Sequence, residues 1–401
     1  MSILLLVIVY LIFVSLGLPD SFIGSSWPSI SNNLGVGESL QGVITLIISF
    51  GTIVSTFANG FLIKKLKPYG VVSLSILLTI IGLVSIGLAS NFVYICLAAI
   101  PLGLGAGAID STLNNFVALH YKALHLNWLH ASWGVGALIS PLISGGFIAS
   151  SNNGYKIAGF VLAAIQGVIC LISFLAFPIW KKVIIEFDKK EPVNIEKLKN
   201  IGFLKTFQIK GVVFAIIAFY SYIAIEQTSS LWFSSLVHYG YGVSEALSAS
   251  WTTLFYVGIT VGRFLSGILS LKIKDKNMIR IGEGILIFGI IFLSFGFNIY
   301  LLPVGLTLIG LGCAPVYPGI IHATPNRFTK ELSQNVMNVQ IGCAYIANVS
   351  AAPLFGIIGQ YIDFKVMPIY LGIFYILLIL GNEIVLKKTM DKTTLLEKIK
   401  I

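Results

Sequence analysis

The sequence predicts an all-α polytopic membrane protein, with twelve transmembrane helices in two pseudo-symmetric halves of six. Three observations carry that prediction. Hydrophobic residues make up 56% of the 401 and charged ones only 10%, against the ~25% charged of an ordinary soluble domain. Apolar runs of about 20 residues, enough to cross a bilayer as a helix, recur along the whole chain. The one long polar stretch, KKVIIEFDKKEPVNIEKLKN from Lys181 to Asn200, falls between the sixth and seventh runs. Backbone facing lipid must satisfy its own hydrogen bonds, and the runs are too long for barrel strands, so helices are the expected spans.

In order, the runs lie near residues 3–29, 39–63, 69–89, 92–119, 127–150 and 156–180, then 211–238, 245–271, 278–297, 299–322, 333–358 and 364–386. They divide the chain into an N-terminal half (1–180), a linker (181–210), a C-terminal half (211–388) and a tail (389–401). The first run begins at Ile3 with no basic residues ahead of it and no small-residue cleavage site, so it reads as a retained span.

The net charge of +10 would suggest nucleic acid in a soluble protein. Its placement argues otherwise. Lys and Arg gather in Lys64–Lys67, Lys181–Lys210, Lys272–Arg280, Arg327–Lys330 and the tail after Lys387, while the alternating linkers hold only Lys156 and Lys365. This positive-inside pattern places both termini and the central linker in the cytoplasm, with the protein in the cell membrane. The four cysteines, Cys96, Cys170, Cys313 and Cys343, all sit in apolar runs without metal-ligand spacing and read as free thiols. With no P-loop, no HExxH and no GxSxG, neither an enzyme nor an ATP-driven pump is expected, and no metal or cofactor.

The two halves repeat. LGLGAGAIDSTLNNFV in span four matches IGLGCAPVYPGIIHAT in span ten, aligning Gly103 with Gly310, Gly105 with Gly312 and Asp110 with Tyr317. WGVGALISPLISGGFI in span five matches IGCAYIANVSAAPLFGII in span eleven, with Gly134 opposite Gly342. Parallel repeats of this kind place a substrate site at their interface near the bilayer midplane.

Ionisable residues inside spans are few: Asp20, Asp110, Glu226, Glu283, Glu383 and Arg263. An uncompensated charge there costs at least ~2.5–3.5 kcal/mol, so such residues face a cavity or a partner. Asp110 is the deepest and is expected to carry a proton. Asn114, one turn on, shares its face, and Asn115 follows; both amides suit a polyhydroxyl ligand. Glu226 stands in YSYIAIEQTSSLWF with Tyr222, Gln227 and Trp232. It corresponds to Asp20 in GLPDSFIGSSW, where Gly17, Pro19 and Gly24 loosen the helix, and both stretches are expected to line the cavity toward its non-cytoplasmic side. In span five His130 offers a hydrogen bond to a hydroxyl and Trp133 a ring to stack on a sugar. Tyr317, Asn338, Gln340, Tyr345 and Asn348 supply the polar lining of the second half. Arg263 reads as a structural residue at the cytoplasmic end of span eight, and Glu283 and Glu383 have no assigned role.

These segments resemble a known family. GFLIKKLKPYG is similar to the signature linker of the major facilitator superfamily, without its acidic residue. GLGAGAIDSTLNNF, LNWLHASWGVGALISP, YIAIEQTSSLWF and VGRFLSGIL resemble the fucose–proton symporter branch, which includes bacterial glucose/mannose permeases. The resemblance implies that Asp110, shorter than the usual Glu, takes part in sugar recognition and proton coupling, and that Asp20 is a proton site. It matches Tyr222 to Glu226 with the span-seven pattern, Ala224 replacing a glycine, and puts His130 where relatives use an amide for sugar.

The expected function is secondary active symport of a monosaccharide with protons, sodium being the alternative ion, by a monomer in the bilayer. Two rivals are a proton-coupled drug or metabolite exporter and a non-transporting membrane sensor or assembly factor. The exporter motif Gly-Pro-x-x-Gly-Gly is matched only by SPLISGG from Ser140, without its leading glycine.

Overall fold

The computed structural model describes residues 3–121, 123–188, 203–296, 298–328 and 330–389. The helices are α1 (Ile3–Leu34), α2 (Gln41–Leu88), α3 (Phe92–His120), α4 (Ala123–Ser150), α5 (Gly154–Leu175), α6 (Phe177–Asp188), α7 (Phe203–Thr206), α8 (Val212–Ser235), α9 (Glu245–Leu269), α10 (Asp275–Ser294), α11 (Leu301–Phe328), α12 (Lys330–Tyr361) and α13 (Met367–Thr389). Among the described residues, twelve segments are long and apolar enough to cross a membrane. They follow the twelve runs in order. Spans two and three belong to one helix, α2, broken at Lys67 (φ 61°, ψ 163°) immediately before Pro68. Proline disfavours helical backbone in the residue ahead of it, which is why the chain turns there.

An even number of crossings returns the chain to the face where it began. The described lysines of the basic linkers collect on that same side, called here the basic face; α1 ends and α2 begins at the far face.

The repeat is visible in the packing. Gly103 lies against the backbone of Ile48 in span two, and Gly310 against Phe255 in α9, the corresponding span of the second half. Gly105 meets Ser75 in span three, and Gly312 meets Gly282 and Leu286 in α10. A side chain at any of these positions would overlap a neighbouring backbone or helix side chain, so these glycines permit close helix approach. The other aligned pair differs: Gly134 abuts Thr260 across the interface between halves, while nothing packs on Gly342.

Gly17 does not loosen α1. That helix is continuous through Pro19 and Pro28, and Gly17 and Gly136 let α1 and α4 touch backbone to backbone. Hydrogen bonds between the halves collect at the far face. Ser234 Oγ donates to Ser25 O (3.0 Å), Asn32 Nδ2 to Glu245 Oε1 (2.6 Å), Gln41 Nε2 to Leu231 O (3.1 Å) and the Ser39 amide to Gln360 Oε1 (2.7 Å). The Ser31 and Tyr239 hydroxyls meet at 2.7 Å.

Candidate functional site

The site is built where α1, α3 and α4 face α8, α9, α11 and α12. Asp20 and Glu226 fall at the middle of α1 and of the span containing α8, not toward the non-cytoplasmic end as their sequence context suggests. The glycines and proline around Asp20 serve helix packing, and that misled the reading of depth.

Asp20 remains accessible although helices enclose it, and its Oδ2 accepts a 2.7 Å hydrogen bond from Trp133 Nε1 on α4. Asp110 is partly buried on α3, close enough for the two acids to feel each other's charge. Asn114 Nδ2 donates to both Asp110 Oδ1 (2.9 Å) and the Asp110 carbonyl (3.0 Å). The shared helix face expected for these two residues is thus occupied as a pair. Asn114 Oδ1 is buried and accepts no hydrogen bond from the described residues.

Across the interface, Tyr317 on α11 lies near Asp110 and packs on Phe219 (5.1 Å between ring centroids) and Tyr222 (6.0 Å). Tyr345 on α12 reaches Thr56 of α2 and also lies near Asp110. The buried Tyr222 hydroxyl sits beside Glu226, and Asn348 Oδ1 is buried with no hydrogen-bond partner among the described residues. Gln227 is half-buried beside Glu226.

Arg263 adds most to the sequence reading. In the basic-end portion of α9 it bridges the two halves instead of reaching out to the membrane surface. Its side chain is only 16% exposed, with Nη2 4.0 Å from Glu226 Oε1 in its own half. The guanidinium stacks over the Trp133 ring at 5.3 Å, and Nη1 donates to the His130 carbonyl at 3.4 Å, both in the other half. A cation over an indole contributes about 0.5–2 kcal/mol, more as water is excluded. Trp133 therefore joins two charges of opposite sign: the edge donates to Asp20 and the face receives Arg263. Tyr256 of α9 closes the group, edge-on to Trp133 at 6.1 Å. Sequence reasoning missed Tyr256, although Tyr256, Thr260 and Arg263 recur at helical spacing on one face of α9. His130 itself packs edge-on against Phe13 (5.7 Å) within the first half.

Two expected site residues lie elsewhere. Trp232 is fully buried in the second half, donating from Nε1 to Ala352 O (2.7 Å) and packed on Phe355 and Phe364. Gln340 is 1% exposed and accepts from Thr324 Oγ1 (3.1 Å), tying α12 to α11. Both read as site residues because they are polar and deep, but their polar atoms are spent on helix packing. The side chains of Asn115 and Asn338 lie outside the described residues. The unassigned acids find partners away from the site: Glu383 takes Arg280 through both oxygens (2.8 and 2.8 Å), and Glu283 accepts from Asn382 (2.7 Å).

Residues 9–251 and 228–394 give two overlapping matches to the family model of the Major Facilitator Superfamily, together spanning nearly the whole chain. The chain belongs to the Major Facilitator Superfamily. It is therefore a multi-pass membrane protein of a transporter family. This facilitator is 24% identical over 325 residues to the glucose/mannose transporter GlcP of Bacillus subtilis (strain 168), covering 77% of each chain. It is 26% identical to the multidrug efflux pump SdrM of Staphylococcus aureus (strain N315), over 44% of this chain and 40% of that one. Its fold is similar to that of a D-xylose-proton symporter (TM-score 0.74, 12% identity, 96% and 97% of the two chains). The fucose–proton symporter FucP in its outward conformation gives TM-score 0.61 at 15% identity, over 96% and 99%.

Proposed function

We propose that this facilitator is a proton-driven symporter that carries a monosaccharide into the cell across the cytoplasmic membrane. The observation that carries the reading is the arrangement at the midplane. Two carboxyls of the first half, Asp20 and Asp110, lie close together, and amide oxygens of Asn114 and Asn348 have no hydrogen-bond partner among the described residues. Buried polar atoms without partners are few in folded proteins. A ligand with several hydroxyls would engage Asn114 Oδ1, the Tyr222 hydroxyl and Asn348 Oδ1, and an aromatic wall supplies the apolar face that sugar rings stack on. GlcP, the xylose symporter and FucP are sugar transporters by name, which agrees with this chemistry.

In this reading residues 1–180 and 211–388 rock against each other about the site, with both termini in the cytoplasm. Cross-half hydrogen bonds hold the far face shut in this state. Arg263 keeps Glu226 through the motion, since both belong to one half, and must leave Trp133 and His130 as the halves separate. A proton on Asp20 weakens the hydrogen bond that orients Trp133 and so loosens the platform under Arg263. Asp110 takes the proton that accompanies sugar, with Asn114 holding its carboxylate in place.

In proteoliposomes, the wild type is expected to accumulate a labelled sugar from a panel of monosaccharides only under an inward proton gradient, and Asp110→Asn to lose accumulation. Gradient-driven efflux of a dye with no sugar uptake would favour the exporter and sink the symporter reading.

A further inference from the structure

At the basic end of the second half, α10, α11 and α13 line an open pocket of about 270 Å3 away from the midplane site. Arg327, near the end of α11, lines it with Asp275, Lys276, Asn326 and Thr389. The arginine is 8% exposed, yet among the described residues no hydrogen bond or ion pair engages its guanidinium. Asp275, Glu283 and Glu383 are close enough to feel that charge. Among the described residues none of them hydrogen-bonds the arginine: Asp275 Oδ2 meets His322 Nδ1 at 2.9 Å, Glu283 accepts from the neutral Asn382 amide and Glu383 grips Arg280. These acids supply negative charge at a distance, and the buried guanidinium's N–H donors are left for a further acceptor.

The pocket's rim adds further donors. Helix α10 begins at Asp275, and its N-cap residue Lys274 makes no side-chain cap. The first-turn amides are thus uncapped, and the helix dipole there favours an anion. Lys276 is exposed at the rim and Thr389 is buried in the wall. A guanidinium fork matches a phosphate or other tetrahedral oxyanion in two-point geometry.

We propose that this pocket binds a phosphate group, held by Arg327 with Lys276 and the start of α10. The shared chemistry is a phosphate oxyanion, either on the headgroup of an anionic lipid, which lies at this level of the membrane-spanning helices, or free in solution. The proposal is independent of the transport reading, because binding is measured without substrate.

The test uses the full chain purified in detergent, followed by thermal unfolding. One arm titrates sodium phosphate against sodium chloride at matched ionic strength. The other adds phosphatidylglycerol or phosphatidylcholine to the micelles. The expected result is saturable stabilisation of the wild type in at least one arm, with apparent affinity falling about tenfold or more in Arg327→Gln, the loss of a charge-assisted contact. Lys276→Gln, an exposed change that the fold tolerates, is expected to weaken binding in the same arm and serves if Arg327→Gln does not fold. Stabilisation by phosphate identifies a free anion. Stabilisation by phosphatidylglycerol alone identifies a headgroup. No saturable effect on the wild type, or an effect unchanged in the variants, overturns the proposal.

Discussion

Trp133 sits between two charges that belong to different halves of the molecule. Its Nε1 donates to Asp20 at 2.7 Å while its face carries Arg263 at 5.3 Å. These contacts separate by substitution. Trp133→Phe keeps an aromatic face for the guanidinium but removes the donor, and a hydrogen bond to a charged group contributes about 1.5–3 kcal/mol. Gradient-driven uptake is expected to fall about tenfold or more, while facilitated exchange without a gradient falls less. Arg263→Lys keeps the charge but loses the planar group that stacks, and is expected to reduce both modes alike. Uptake assays in proteoliposomes, run with and without the gradient, distinguish the two outcomes. At this scale the sequence was informative about residue type and weak about partners. Asp110, Asn114 and Tyr317 stood out as polar groups in apolar runs; the first two bond to each other, and Tyr317 lies within electrostatic reach of Asp110. Arg263 read only as structural, because a sequence does not show which aromatic ring or carboxylate a side chain on the neighbouring helices will meet.

Among the elements, the α1–α4 pair is the closest approach that glycine makes possible. A methyl group on Gly136 would overlap the Val14 carbonyl, whereas Gly146, further along the same helix, has open space around it. Gly136→Ala is expected to cost about 1–3 kcal/mol as overpacking, lowering the unfolding temperature of the detergent-solubilised protein. Gly146→Ala should leave that temperature within error. Because α1 carries Asp20 and α4 carries Trp133, Gly136→Ala should also impair coupling by moving donor from acceptor. The helices themselves were legible from hydropathy alone, since each must cover about 30 Å of hydrocarbon with its own hydrogen bonds made. The Lys67 break inside α2 was also readable, as a lysine cluster ending at a proline. Which glycines were contacts and which were merely tolerated was not, as Gly134 and Gly342 demonstrate: they align in the repeat and do different things.

For the whole molecule, the far face is held by hydrogen bonds that must break if the halves rock. Ser25 and Ser234 lie opposite each other there, one in each half. A pair of cysteines at these positions is expected to form a crosslink that halts uptake, with reduction restoring it. Uptake that persists with the crosslink fully formed would rule out rocking at this face. The sequence by itself determined the class of molecule: the number of spans, their division by a basic linker, and the duplicated order of features that makes two like halves. Those properties follow from composition along one dimension, because a bilayer imposes the same length and polarity on every crossing. Tertiary structure alone decided which polar groups face each other. It brought Arg263 to Trp133 across the interface, sent Trp232 and Gln340 into helix packing, and left Arg327 beside three acids with no hydrogen bond to its guanidinium among the described residues. The reason is geometric. A partner depends on the rotation of each helix about its axis and on the register between halves, and a turn of 100° per residue changes the neighbour without changing the hydropathy.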